Sequence, residues 1–138
     1  MPKIICVANQ KGGVGKTTTA INLSSCIALT GKKVLLIDLD PQSNATTGLG
    51  LYLNDSQMGI YDLIAGDAEI DQVTYPTAIN TLFVIPSTVD LAGSEVELVN
   101  QENRELKLKK ALSKLDSRYE FVVIDCPGGD LVLILTGV

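Results

Sequence analysis

The sequence predicts an α/β fold, a parallel sheet flanked by helices. Short apolar runs rich in Ile, Val and Leu recur at residues 4–8, 34–37, 82–85 and 121–124, with helix-like stretches between them. Such alternation favours parallel strands joined by right-handed crossovers. Hydrophobic residues make up 46% of the 138 residues, with no Trp, as expected of strands buried on both faces. Two of the runs lead directly into aspartates, at the rim where open α/β sheets bind their ligands.

The first run, Ile4-Ile5-Cys6-Val7-Ala8, leads into Lys11-Gly12-Gly13-Val14-Gly15-Lys16-Thr17-Thr18 and then into a helical pattern. Strand, glycine loop and helix form the context of a phosphate-binding loop. Glycines permit backbone angles and close approaches that a Cβ would obstruct. The N–H groups of such a loop converge on an anion, assisted by the positive end of the helix that follows. Lys16 is placed to reach terminal phosphates, and the Thr17 hydroxyl to ligate Mg²⁺. The loop departs from G-x-x-x-x-G-K-[ST] at its first position, where Gln10 stands, and carries an additional lysine, Lys11. A second ammonium at an anion site can neutralise charge developing on a phosphate.

The first helix is expected from Thr17 to Leu29, with Gly31 as its C-cap. Val34 to Ile37 reads as a buried strand ending in Asp38-Leu39-Asp40-Pro41-Gln42, and alternation puts Asp38 and Asp40 on one side while the strand persists. Residues 42–54, rich in Gly, Ser, Thr and Asn, read as a mobile connection. A short helix is expected at 59–64, and Leu82 to Ile85 reads as a strand stopped by Pro86. Residues 91–99 read as a helix with Glu95 and Glu97 outward. Arg104, Lys107, Lys109, Lys110, Lys114 and Arg118 interleave with Leu106, Leu108, Ala111, Leu112 and Leu115, the pattern of an amphipathic helix with a solvated basic face. Phe121-Val122-Val123-Ile124 closes the series as a strand that delivers Asp125 to the sheet edge.

KGGVGKTT resembles the deviant Walker A loop of the ParA/MinD partition and positioning ATPases, a P-loop NTPase family. The resemblance implies that residues 11–18 (Lys11, Gly12, Gly13, Val14, Gly15, Lys16, Thr17 and Thr18) hold the nucleotide, and that Lys11 reaches across a two-fold interface to the partner's nucleotide. DLDPQ is similar to the segment in which the second aspartate, here Asp40, positions the attacking water. Phe121 to Pro127 resembles a Walker B, implying that Asp125 holds the Mg²⁺ shell together with Thr17. Lys11, Lys16 and Asp40 are then the expected catalytic residues, and ATP and Mg²⁺ the expected ligands. DLDPQ is closer to the ParA/Soj branch than to the MinD branch. Membrane-cycling MinD-type proteins also need a C-terminal amphipathic helix, which this sequence does not present. Iron proteins with the extra lysine need two cluster thiolates per subunit, whereas only Cys126 falls near the site.

The resemblance runs from residue 1 to about 127, where family members continue with a further hundred or so residues. The expected organisation is therefore the N-terminal part of a ParA-like ATPase domain over 1–127, the N-terminal half of the family fold, followed by a divergent tail over 128–138. In the family the strand carrying the phosphate loop lies mid-sheet, with a neighbour supplied after Walker B. The adenine pocket and the basic DNA-binding surface also draw largely on that later part. A truncated product, a frame-shifted product or a deliberately shortened chain is the expectation, with Leu131 to Leu135 as a surrogate strand or an apolar tail.

Three cysteines at wide spacing do not form a disulfide framework and read as small core residues in a reducing compartment. No apolar stretch approaches the ~20 residues that span a bilayer, and five apolar residues near the N-terminus are too few for a signal core. A net charge of −5 opposes a large non-specific nucleic-acid footprint. The function expected from the resemblance is a cytoplasmic ATPase that binds and hydrolyses Mg-ATP in chromosome or plasmid partition. Its implied partners are a second copy of the chain, a centromere-binding ParB-like protein and non-specific DNA, with no membrane. The alternative is a non-hydrolysing fragment that binds nucleotide or a protein partner.

Overall fold

A computed structural model describes residues 2–7, 16–40, 43–54, 56–87, 108–115 and 118–126. The strands are β1 (Lys3–Val7), β2 (Val34–Asp38), β3 (Tyr75–Pro76), β4 (Leu82–Ile85) and β5 (Phe121–Asp125). They form one sheet in the order β1-β5-β2-β4-β3. β5 is inserted between β1 and β2 and is parallel to both. The register places Val7 opposite Asp125 and Asp125 opposite Asp38, so the ends of three strands lie side by side.

β2 is buried at every position, and its two faces separate the core into two clusters. Val34 and Leu36 pack with Val84 and Val123 beneath α1 (Lys16–Leu29). Ala20, Ser24 and Ala28 recur every four residues along that helix and are buried, so small side chains let it approach the strands closely. Ser24 satisfies its buried hydroxyl by donating to the Ala20 carbonyl at 2.7 Å. On the opposite face Leu35, Ile37, Val122 and Ile124 pack under α3 (Ile60–Ala65), a 3₁₀ turn at Ile70–Val73, and the helical residues 108–113. Leu108, Leu112 and Leu115 are buried, while Lys109, Lys110, Lys114 and Arg118 are exposed, as the amphipathic pattern requires. Arg104 and Lys107 lie outside the described residues.

α1 ends as its sequence requires: Gly31 has φ +94°, and its N–H donates to the Ala28 carbonyl at 3.0 Å. The helix at 59–64 and the strand before Pro86 are also present.

Three sequence expectations need correction. The sheet is not wholly parallel, because β3 pairs antiparallel with β4. The link between them is too short for a parallel crossover, and Pro76 can sit there because an edge strand need not donate. Residues 42–54 contain a helix, α2 (Asn44–Gly48), with Ala45 and Thr46 buried; it is a docked element, not an open connection. Cys26 is exposed on α1, whereas Cys126 is buried and Cys6 half-buried.

Among the described residues β1 stands at the end of the strand order, and Ile4 to Val7 are only half-buried where β2 is wholly so. The helix expected at 91–99, with Glu95 and Glu97, and the tail from 128 lie outside the described residues.

Candidate functional site

The site gathers at the carboxyl ends of β1, β5 and β2. Thr17 lies in the first turn of α1, which returns the chain over the sheet, and its Oγ1 donates to Asp125 Oδ2 at 3.1 Å. These two residues are 108 positions apart, and the fold brings them together because β5 enters the sheet beside β1. Asp125 is fully buried, and its main chain is held on both sides. Leu39 N–H donates to the Asp125 carbonyl, and Cys126 N–H to the Val7 carbonyl, each at 3.0 Å.

Asp38 is the neighbouring carboxylate, opposite Asp125 on β2 and also fully buried. Its Oδ2 accepts from Thr46 Oγ1 at 2.6 Å and Thr46 N–H at 2.9 Å, and its Oδ1 accepts from Asp40 N–H at 3.0 Å. Burial pushes its pKa up from 3.8 to about 6, against the opposing pull of those three hydrogen bonds, and the Asp125 carboxylate adds to the rise. Thr46 Oγ1 also accepts from Ser87 N–H at 3.1 Å just beyond β4, and Ser43 Oγ donates to the Ser87 carbonyl at 2.7 Å.

Asp40 lies two residues past the end of β2 and is nearly buried. The regular alternation of the strand has ended before it, so Asp38 and Asp40 engage different partners. Asn44 Nδ2 donates to Asp40 Oδ2 at 2.9 Å, and Ser43 N–H donates to the Asp40 carbonyl at 2.9 Å. α2 therefore grips both aspartates, one through Thr46 and the other through Asn44.

Of the residues singled out in the sequence, Thr17 and Asp125 meet directly, and Asp40 lies on the adjoining strand end. Lys16 opens α1 and Thr18 is exposed in its first turn. Lys11, Gly12, Gly13, Val14 and Gly15 fall outside the described residues. Sequence reasoning missed Asn44, Thr46 and Ser87. A signal was available: a carboxylate at the end of an apolar strand needs donors, and 43–47 is the nearest polar run.

A mostly parallel sheet whose first helix offers a hydroxyl to a strand-ending carboxylate is the framework of a P-loop nucleotide-binding protein. The AAA domain family profile matches residues 2–136. Soj of Bacillus subtilis, a sporulation initiation inhibitor protein, is 50% identical over 127 residues, 92% of this chain and 50% of its own length. The chromosome-partitioning ATPase Soj of Treponema pallidum is 50% identical over 137 residues, 99% of this chain and 53% of its own. Among solved structures, cobyrinic acid a,c-diamide synthase from Mycobacterium smegmatis, with bound ADP and magnesium, superposes with a TM-score of 0.81. It is 39% identical, over 92% of this chain and 51% of that one. The chain belongs to the AAA domain family, and over the stretch it shares with these relatives it is similar to ParA and Soj proteins. It spans about half the length of the curated relatives it matches.

Proposed function

We propose that this chain binds Mg-ATP through residues 11–18 and hydrolyses it as part of a chromosome or plasmid partition system. The observation that carries the reading is the 3.1 Å hydrogen bond from Thr17 to Asp125. The donor set fits magnesium: a hydroxyl and a carboxylate are hard oxygen ligands, and Mg²⁺ takes few protein groups because it keeps water and phosphate oxygens in its shell. Thr17 and Asp125 would hold the ion, which when bound neutralises charge on the phosphates.

The chain's own residues supply the rest. Lys16 binds the terminal phosphates as a point charge, and the glycine loop lends its N–H groups to the same anion. Asp40 orients the attacking water, and its anchorage by Asn44 and Asp38 limits the orientations its carboxylate can take. Lys11 would act across a two-fold axis, which makes a second copy of the chain the first partner. A ParB-like centromere-binding protein is the second, in the cytoplasm. Duplex DNA should bind weakly, since the chain carries a net charge of −5 and Arg118 is engaged by Asp71 at 2.8 Å. No helix among the described residues is long and apolar enough to cross a membrane.

The test measures phosphate release and Mg-ATP affinity in the native chain, in Lys16→Ala and in Asp40→Ala. Lys16→Ala should lose nucleotide binding, and Asp40→Ala should retain binding and lose turnover. ATP binding without turnover in the native chain would replace this reading with that of a nucleotide-binding fragment.

A further inference from the structure

The residues that hold Asp40 form a connected set that reaches well beyond the nucleotide loop. The contacts of Asp40 include its N–H on Asp38 Oδ1 at 3.0 Å, its carbonyl on Ser43 N–H at 2.9 Å, and its Oδ2 on Asn44 Nδ2 at 2.9 Å. Asn44 and Ser43 lie at the start of α2, a helix of five residues and too short to be stable by itself. Its position is set from outside. Thr46 is 2% exposed and ties α2 to the end of β2 through Asp38 and to the end of β4 through Ser87 N–H. Ser43 Oγ makes a second tie to the Ser87 carbonyl at 2.7 Å. The exposed side chain in this set is that of Asn44, and its amide is the donor that meets the Asp40 carboxylate.

We propose that Asn44 is a positioning residue for Asp40, and that the Asp38–Thr46–Ser87 clamp holds α2 where Asn44 can perform that task. The proposal rests on the reading of Asp40 as the group that orients water. A carboxylate that must present one oxygen to a water gains from having its other oxygen tied to a fixed donor, because misplacement by about 1 Å can cost on the order of a hundredfold in rate. Asn44 acts in this reading through Asp40, so its loss lowers turnover and leaves ground-state binding in place.

Two measurements on the full chain test this. The first needs no activity: amide hydrogen exchange in the nucleotide-free protein. The N–H groups of Asp40, Thr46 and Ser87 should be protected together, and Thr46→Val should release them while β5 amides stay protected; free exchange of all three in the native chain would overturn the clamp. The second compares turnover and Mg-ATP affinity in Asn44→Ala and Asn44→Asp. Aspartate nearly matches asparagine in shape and is favoured in the first turn of a helix, so it should not unfold α2, but it sets like charges against each other at Asp40. Turnover should fall roughly tenfold in Asn44→Ala and further in Asn44→Asp, with affinity within about threefold of the native value. Native turnover in Asn44→Asp would refute the positioning role. Absence of turnover in the native chain would instead remove the ATPase reading, and the positioning role with it, while the exchange result still decides whether the clamp exists.

Discussion

Replacing Thr17 by valine removes one hydroxyl and nearly preserves shape, so its consequences are those of the Thr17–Asp125 hydrogen bond. The acceptor is a fully buried carboxylate, and the bond is 3.1 Å long. A hydrogen bond to a charged group contributes about 1.5–3 kcal/mol, and its loss leaves Asp125 with less compensation for burial. Chemical denaturation of the nucleotide-free protein should therefore show Thr17→Val less stable by that amount, with an unchanged dependence on denaturant. For a domain of this size that corresponds to a melting temperature lower by about 5–10 °C. Thr17→Ser keeps the hydroxyl and should lie close to the native protein. A ligand at a hundred times its Kd adds about 2.7 kcal/mol of stability, so a melt with excess Mg-ATP tests the proposed metal role separately. The native and serine proteins should gain that increment, and the valine variant should lose most of it. If valine matches threonine in both melts, Thr17 neither supports Asp125 nor takes part in holding the ion.

Gly31→Ala should destabilise the fold by about 1–2 kcal/mol, since φ is +94° and nothing lies within 4 Å of the added methyl group, leaving backbone strain as the sole cost. Gly31→Asn should cost less in the same denaturation experiment, because asparagine tolerates the left-handed region. The Ser87 hydroxyl is buried with no hydrogen-bond partner among the described residues, so Ser87→Ala should leave stability unchanged or raise it by up to about 1 kcal/mol. A clear loss of stability in that variant would mean that the hydroxyl has a partner.

The sequence made the main elements legible where local chemistry and tertiary packing agree. The strands at β1, β2, β4 and β5 are apolar runs bounded by glycine, proline or aspartate, and the amphipathic stretch around Leu108 shows its buried leucines directly. That Thr17 and Asp125 belong to one site was legible because the neighbours of each form a motif, and the two side chains do meet. What was not legible depends on contacts between distant segments. β3 exists because β4 offers it an edge; two residues carry no periodicity to read. α2 has a loop-like composition, and only the donors demanded by Asp38 and Asp40 make it a helix. Cys26 misled because cysteine is a frequent core residue, while α1 buries the faces of Ala20, Ser24 and Ala28 instead.

The strand order also dictates a sequence of events in time. β1 is made first, but its neighbour in the sheet is β5, and Thr17 must wait for Asp125 to emerge 108 positions later. At a synthesis rate of 5–20 residues per second, that interval is about 5–20 s. β2 and β4 can pair in the meantime, since both are complete before β5 is made and the cost of closing the loop between them grows only slowly with its length. Among the described strands the growing chain should therefore assemble from the side of β4 toward β1, which is secured after β2 and β4. Until Phe121 to Asp125 slides into its slot, β1 stays open to chaperones and to the wrong strand partner. The same arrangement makes the slot for β5 the step that a slow codon or a bound chaperone would govern.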